Sequence, residues 1–114
     1  MSTEKYTELI SSGQLENITL AFALAKGQGE LDSLLELYRP TFDMLMSLKQ
    51  NNIEITVFGE QAVMEIVNLK HLNCYGNSLT ELDLSKLVNL KYLYCNNNRP
   101  NFKLIQNKTQ NFRK

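Results

Sequence analysis

Tryptophan is absent from this sequence, histidine occurs once, cysteine and proline occur twice each, and glycine occurs five times. A single histidine, His71, excludes a His-pair metal site and any two-histidine chemistry. Two cysteines, Cys74 and Cys95, are too few for a disulfide framework, and neither belongs to a CxxC pair or to a Cys/His cluster with zinc spacing. No run of eighteen apolar residues exists, so a membrane span is not expected, and the opening MSTEKYTELISS lacks the basic start and apolar run of a secretory signal. The expectation is a cytoplasmic protein with free thiols. A surplus of either charge is also missing. Twelve Lys and Arg balance twelve Asp and Glu, so no global field recruits nucleic acid or a membrane.

What is present is ordinary globular material. The 114 residues, 43% apolar and 21% charged, suit one domain with a modest core that needs no disulfide or metal to fold. Charge is unevenly placed along the chain. Residues 1–68 hold four basic and ten acidic residues, whereas 69–114 hold eight basic and two acidic ones. Arg99, Lys103, Lys108, Arg113 and Lys114 carry the end of the chain without one acidic residue, as a solvated tail would.

The first fifty residues have helical periodicity. Ser2 or Thr3 can cap a helix carrying Tyr6, Leu9 and Ile10, which Gly13 ends. Leu15 to Lys26 is apolar nearly all round and predicts a helix packed on several sides, with Gly27 as its C-cap. Leu31, Leu34, Leu35 and Tyr38 form a third stripe that Pro40 stops or kinks. Phe42, Leu45, Met46 and Leu48 form a fourth, giving an antiparallel helical layer. Gly27-Gln28-Gly29 follows a helix, has no third glycine and no Lys-Ser/Thr ending, so it fails both nucleotide fingerprints.

The second half contains a repeat with a period of 21 residues. LKHLNCYGN (69–77) aligns with LKYLYCNNN (90–98), and LTELDL (79–84) is a half-repeat between them. Strand alternation sends Leu72, Cys74, Leu93 and Cys95 inward and His71, Asn73, Tyr75, Tyr92, Tyr94 and Asn96 outward. Asn77 and Asn98 fall where the chain leaves each strand, so their amides can bond the turn backbone in an asparagine ladder. Ile53, Ile55 and Val57 alternate as a degenerate first strand, and Phe58, Gln61 and Val63 partly fit the half-repeat that follows. One period beyond Leu79, Leu82 and Leu84 stand Pro100, Lys103 and Ile105, which predicts that the coil is abandoned after Asn98.

LxxLxCxxN, present twice, with LxxLDLS between, resembles the leucine-rich repeat family, in the short 21-residue form with Cys at the sixth position found in bacterial proteins. The resemblance covers 69–98 and only loosely the flanks; SGQLENITLAFALAKGQG also resembles helical leaders of such repeats. It implies a parallel sheet on the concave face of a solenoid, usually a protein-binding surface and not a catalytic centre. The expected fold is therefore α+β: a helical capping region over 1–50 packed on the first strand, then repeats over 51–114. These are degenerate over 51–68, build a small parallel sheet of about three strands, and end in an irregular basic tail.

No candidate for catalysis survives. Ser85 has no glycine elbow or histidine partner, and Glu4 with Glu8, or Asp32 with Glu36, read as solvated helix faces. Cys74 and Cys95 read as buried stacking residues. No enzyme activity, metal or cofactor is expected. The leading function is non-catalytic protein binding by the outward row, because tyrosine is favoured at interfaces. The alternative is an accessory role in which the basic 99–114 segment neutralises phosphates of nucleic acid or an anionic surface.

Overall fold

The computed structural model describes residues 4–48 and 54–113; Ser2, Thr3, Ile53 and Lys114, named above, lie outside the described residues. Helix α1 (Glu4–Ser11) buries Tyr6 and Ile10, one turn apart on the same face. Gly13, at φ +73°, ends the turn after it by donating its N–H to the Ile10 carbonyl at 3.0 Å. Helix α2 (Leu15–Gly27) buries Ile18, Ala21, Phe22 and Ala25. Contrary to the expectation of burial on several sides, Leu15, Leu20 and Leu24 are exposed, because helices cover only one stripe of it. Its cap is Gln28 rather than Gly27, and Gly29 takes the left-handed conformation that a side chain resists.

Helices α3 (Leu31–Glu36) and α4 (Arg39–Ser47) follow, with Pro40 in the first turn of α4, where its missing N–H leaves no bond unmade. Helix α5 (Glu60–Asn68) corrects the sequence expectation. Residues 54–58 form no strand, Val57 is 77% exposed, and Gln61 and Val63 lie in this helix. Ala62, Val63, Ile66 and Val67 recur one helical turn apart, so a helix buries all four where a strand would split them between two faces.

The coil begins at β1 (His71–Asn73), which pairs in parallel with β3 (Tyr92–Tyr94), His71 opposite Tyr92 and Asn73 opposite Tyr94. The half-repeat forms β2 (Glu81–Asp83), paired in parallel with β4 (Lys103–Ile105), Leu82 opposite Leu104. There are thus two two-stranded sheets and not one sheet of three. Half a turn of coil separates β1 from β2, so each pairs only with its counterpart in the next turn.

The coil also continues past Asn98. Glu81 faces Lys103, one residue beyond the period of 21, so a fixed period compares Leu82 with Lys103 instead of Leu104. Tyr92 and Arg113 then form a parallel bridge, with Arg113 N–H donating to the Lys91 carbonyl and Leu93 N–H to the Arg113 carbonyl, both at 2.7 Å. The basic end of the chain is therefore part of the coil rather than an irregular tail.

Two apolar clusters meet at α5. Phe42, Leu45 and Leu48 join Ala62, Ile66 and Leu69 and the coil residues Leu72, Cys74, Leu82, Leu84, Leu87, Leu90 and Leu93 in one. Tyr6, Ile10, Ile18, Ala21, Phe22, Ala25, Leu34 and Tyr38 join Val63 and Val67 in the other. The helical layer was expected to pack directly on the first strand. Instead α5 stands between, one side in each cluster, while α4 reaches the coil. Asn89 adds a polar tie, its Nδ2 donating to the Gly13 carbonyl at 3.2 Å.

Candidate interaction surface

The parallel register of β1 and β3 places equivalent residues of consecutive turns side by side, and the buried Leu72 and Leu93 between them force their neighbours outward. The His71 and Tyr92 rings stack, centroids 4.8 Å apart and planes 12° from parallel. Tyr92 is 40% exposed and Tyr94 59%. Tyr75, 48% exposed, continues the row beyond β1, and its hydroxyl accepts a hydrogen bond from Asn97 Nδ2 at 2.6 Å. Asn73 is half-buried, its Oδ1 accepting the Tyr75 N–H at 3.0 Å. Asn96 is exposed, and its carbonyl accepts the Gly76 N–H at 3.0 Å.

Beneath the row the asparagines differ. Asn98 Nδ2 donates to the carbonyls of Cys74 (3.1 Å) and Cys95 (2.8 Å), and its Oδ1 accepts the Leu79 N–H at 2.9 Å, so one side chain ties two turns. Asn77 Nδ2 donates to the Tyr75 carbonyl at 3.1 Å, within its own turn. The cysteines also differ. Cys74 is buried beneath the turn that carries Cys95, and burial, with Cys95 beside it, pushes its thiol up to about 11. Cys95 is half-buried, against the expectation of full burial, because among the described residues only the bridge of Tyr92 with Arg113 covers the edge of β3 away from β1. Both are free thiols.

The opposite sheet carries Glu81, Asp83 and Lys103, and Asp83 Oδ1 accepts the Ser85 N–H at 2.9 Å, which occupies that part of the LDLS motif in a turn. Glu4, Glu8, Asp32 and Glu36 are exposed. Among the described residues no group of three or more His, Cys, Asp or Glu is placed to hold a metal ion, and no helix is long and apolar enough to cross a membrane. Three residues that fix the coil escape a reading by repeat motif. Asn97, at φ +57°, holds Tyr75; Gln110 Nε2 donates to the carbonyls of Leu84 (2.7 Å) and Leu87 (3.0 Å); Arg113 extends the row beside Tyr92. The one-residue displacement of the last turn hides Gln110 and Arg113, and Asn97 is indistinguishable from its neighbours in a run of three asparagines.

Parallel strands from successive turns over a shared leucine core define a short repeat solenoid. Residues 67–106 match the family model described as leucine-rich repeats (2 copies), so this segment of the chain is similar to that family. No curated protein and no solved structure matches the chain. Domains of this family generally mediate protein–protein interaction and are typically non-catalytic.

Proposed function

We propose that the protein is a non-catalytic binding module that contacts a protein partner through His71, Asn73, Tyr75, Tyr92, Tyr94 and Asn96. The observation that carries this reading is the row of three exposed tyrosines, two of them steadied by neighbours: Tyr92 by the His71 ring and Tyr75 by Asn97. Aromatic area already ordered in the free protein loses little conformational entropy on binding. The helices that precede β1 serve as the cap, and the coil that begins at β1 serves as the repeat unit. Cys74, Cys95, Asn77 and Asn98 act only in holding the turns together. The free thiols agree with a cytoplasmic setting.

Affinity capture tests this reading with three immobilised proteins: the intact chain, Tyr92→Ala/Tyr94→Ala, and Glu81→Ala on the opposite sheet. Proteins retained by the first and third and lost from the second, with circular dichroism unchanged, support the assignment. The same set retained by all three contradicts it.

A further inference from the structure

The charges of the coil are sorted between its two sheets. The only acidic residues in 69–114 are Glu81 and Asp83, and both lie on β2. The coil's own charged groups beside the tyrosine row are basic, and the one acidic neighbour in the hollow next to Lys70 and His71, Glu65 of α5, has a carboxylate oxygen that accepts the Glu54 N–H at 3.0 Å. Lys70 and Lys91 are exposed at the start of β1 and β3, in consecutive turns joined by the Lys91 N–H to Lys70 carbonyl bond at 2.9 Å, and exposed Arg113 pairs beside Tyr92.

Resting on the reading just given, we infer that the partner presents an acidic segment to this face. Lys70, Lys91 and Arg113 take its carboxylates, and the ring faces of Tyr92 and Tyr94 take its apolar or aromatic side chains. The size of the face favours a protein segment over nucleic acid. Strands of three residues make a strip about 10 Å long, and three cations on it release too few counterions to hold a polyphosphate. A longer nucleic acid would continue over the helical side, where ten acidic residues face four basic ones in 1–68. Glutamates within a short peptide meet the basic edge alone, while the Asn96 side chain stands exposed within reach of peptide groups.

Fluorescence anisotropy with four labelled probes tests the inference: poly-glutamate, a glutamate–tyrosine copolymer, poly-lysine and oligothymidylate. The copolymer is expected to bind tightest and poly-glutamate next, both weakening as salt rises, with poly-lysine unbound. Lys70→Glu/Lys91→Glu/Arg113→Glu is expected to lower copolymer affinity by about tenfold or more, and Lys103→Gln on the other sheet to leave it unchanged. Lys70→Gln/Lys91→Gln provides the same comparison, with a smaller loss, if the triple reversal does not fold. Oligothymidylate binding as tightly as the glutamate polymers overturns the inference in favour of nucleic acid. Absence of any preference for acidic probes overturns it outright. Self-association in sedimentation velocity that the charge reversal abolishes also overturns it, by making a second copy the occupant. Proteins captured by the intact chain, lost with Tyr92→Ala/Tyr94→Ala but kept by the charge variants, reject the acidic partner while leaving the tyrosine surface standing. Proteins kept by both variants reject the surface itself.

Discussion

In the helical layer each helix buries one stripe and leaves the other side in water, so that Leu15, Leu20, Leu24 and Leu37 stand exposed on α2 and between α3 and α4. In the coil every half-turn sends a leucine inward, and the exposed large side chains are tyrosines collected on one sheet. The layer's exposed leucines bring apolar area alone, with Leu20 and Leu24 one turn apart on the uncovered face of α2. The coil's tyrosines bring area with a polar handle, and stacking or hydrogen bonds steady two of them. Exposure of apolar surface is thus incidental to packing in one region and ordered in the other, and the region with the more regular interior presents the more specific exterior.

The strongest way to break this comparison is to separate the regions. A chain starting at Glu60 lacks Phe42, Leu45 and Leu48 from the coil's cluster and exposes Val63 and Val67, so it is expected to unfold without a cooperative transition. A sharp thermal transition would show that the coil stands alone. Next in size are the leucines beneath the row. Leu72→Ala or Leu93→Ala is expected to cost about 2–5 kcal/mol in denaturant melts, the usual range for a buried leucine. A loss below about 0.5 kcal/mol, as at a surface position, would reject the inward assignment.

Asn98→Ala sharpens the comparison inside the coil. It leaves the part-buried Cys74 and Cys95 carbonyls and the Leu79 N–H without this partner, at an expected cost of about 1–3 kcal/mol. Asn77→Ala should cost less, since its Tyr75 contact lies within one turn and is exposed. Gly13→Ala probes the joint between the regions. An added Cβ there sits at φ +73° and 2.7 Å from Asn89 Oδ1, so the loss should exceed the cost of about 1–2 kcal/mol that the left-handed backbone alone carries. Gly29→Ala meets open space at a similar φ and should lose only the backbone part.

An effect confined to alkaline pH concerns the thiols. A polar alkylating reagent should modify half-buried Cys95 in the native state well before Cys74. Cys74 has its ordinary value of 9.0 when unfolded and about 11 when folded. Its contribution to stability is therefore complete below pH 9 and is lost as the pH rises towards 11, because the unfolded thiol gives up its proton first. Unfolding measured from pH 8 to 11 should show a shallower alkaline decline in Cys74→Ala than in the native sequence. Tyr38, pushed up to about 12 by burial, adds its own decline at higher pH in both proteins.

Much of this was legible in the sequence because local pattern and tertiary structure agree. The repeated Leu and Cys spacing identifies β1 and β3 and the face their neighbours share, and the stripes around Ile18, Leu34 and Phe42 identify the helices. The sequence reading misassigns the places where two patterns compete. Ile55 and Val57 alternate like a strand, yet the apolar residues of α5 need both of its sides to join two clusters. The last turn departs from a period of 21 by a single residue at β4, enough to turn a paired strand into an apparent tail. Cys95 repeats Cys74 in sequence but not in burial, since burial depends on the turn beyond it.

The central claim is that the tyrosine row serves binding rather than folding. Equilibrium unfolding of Tyr92→Ala/Tyr94→Ala, with partner retention measured on the same preparation, tests it most directly. The account predicts a stability loss of about 0.5–1.5 kcal/mol, the size of one lost aromatic stack, together with loss of the retained partner. A loss as large as that expected for Leu72→Ala, or retention unchanged from the native protein, would contradict it.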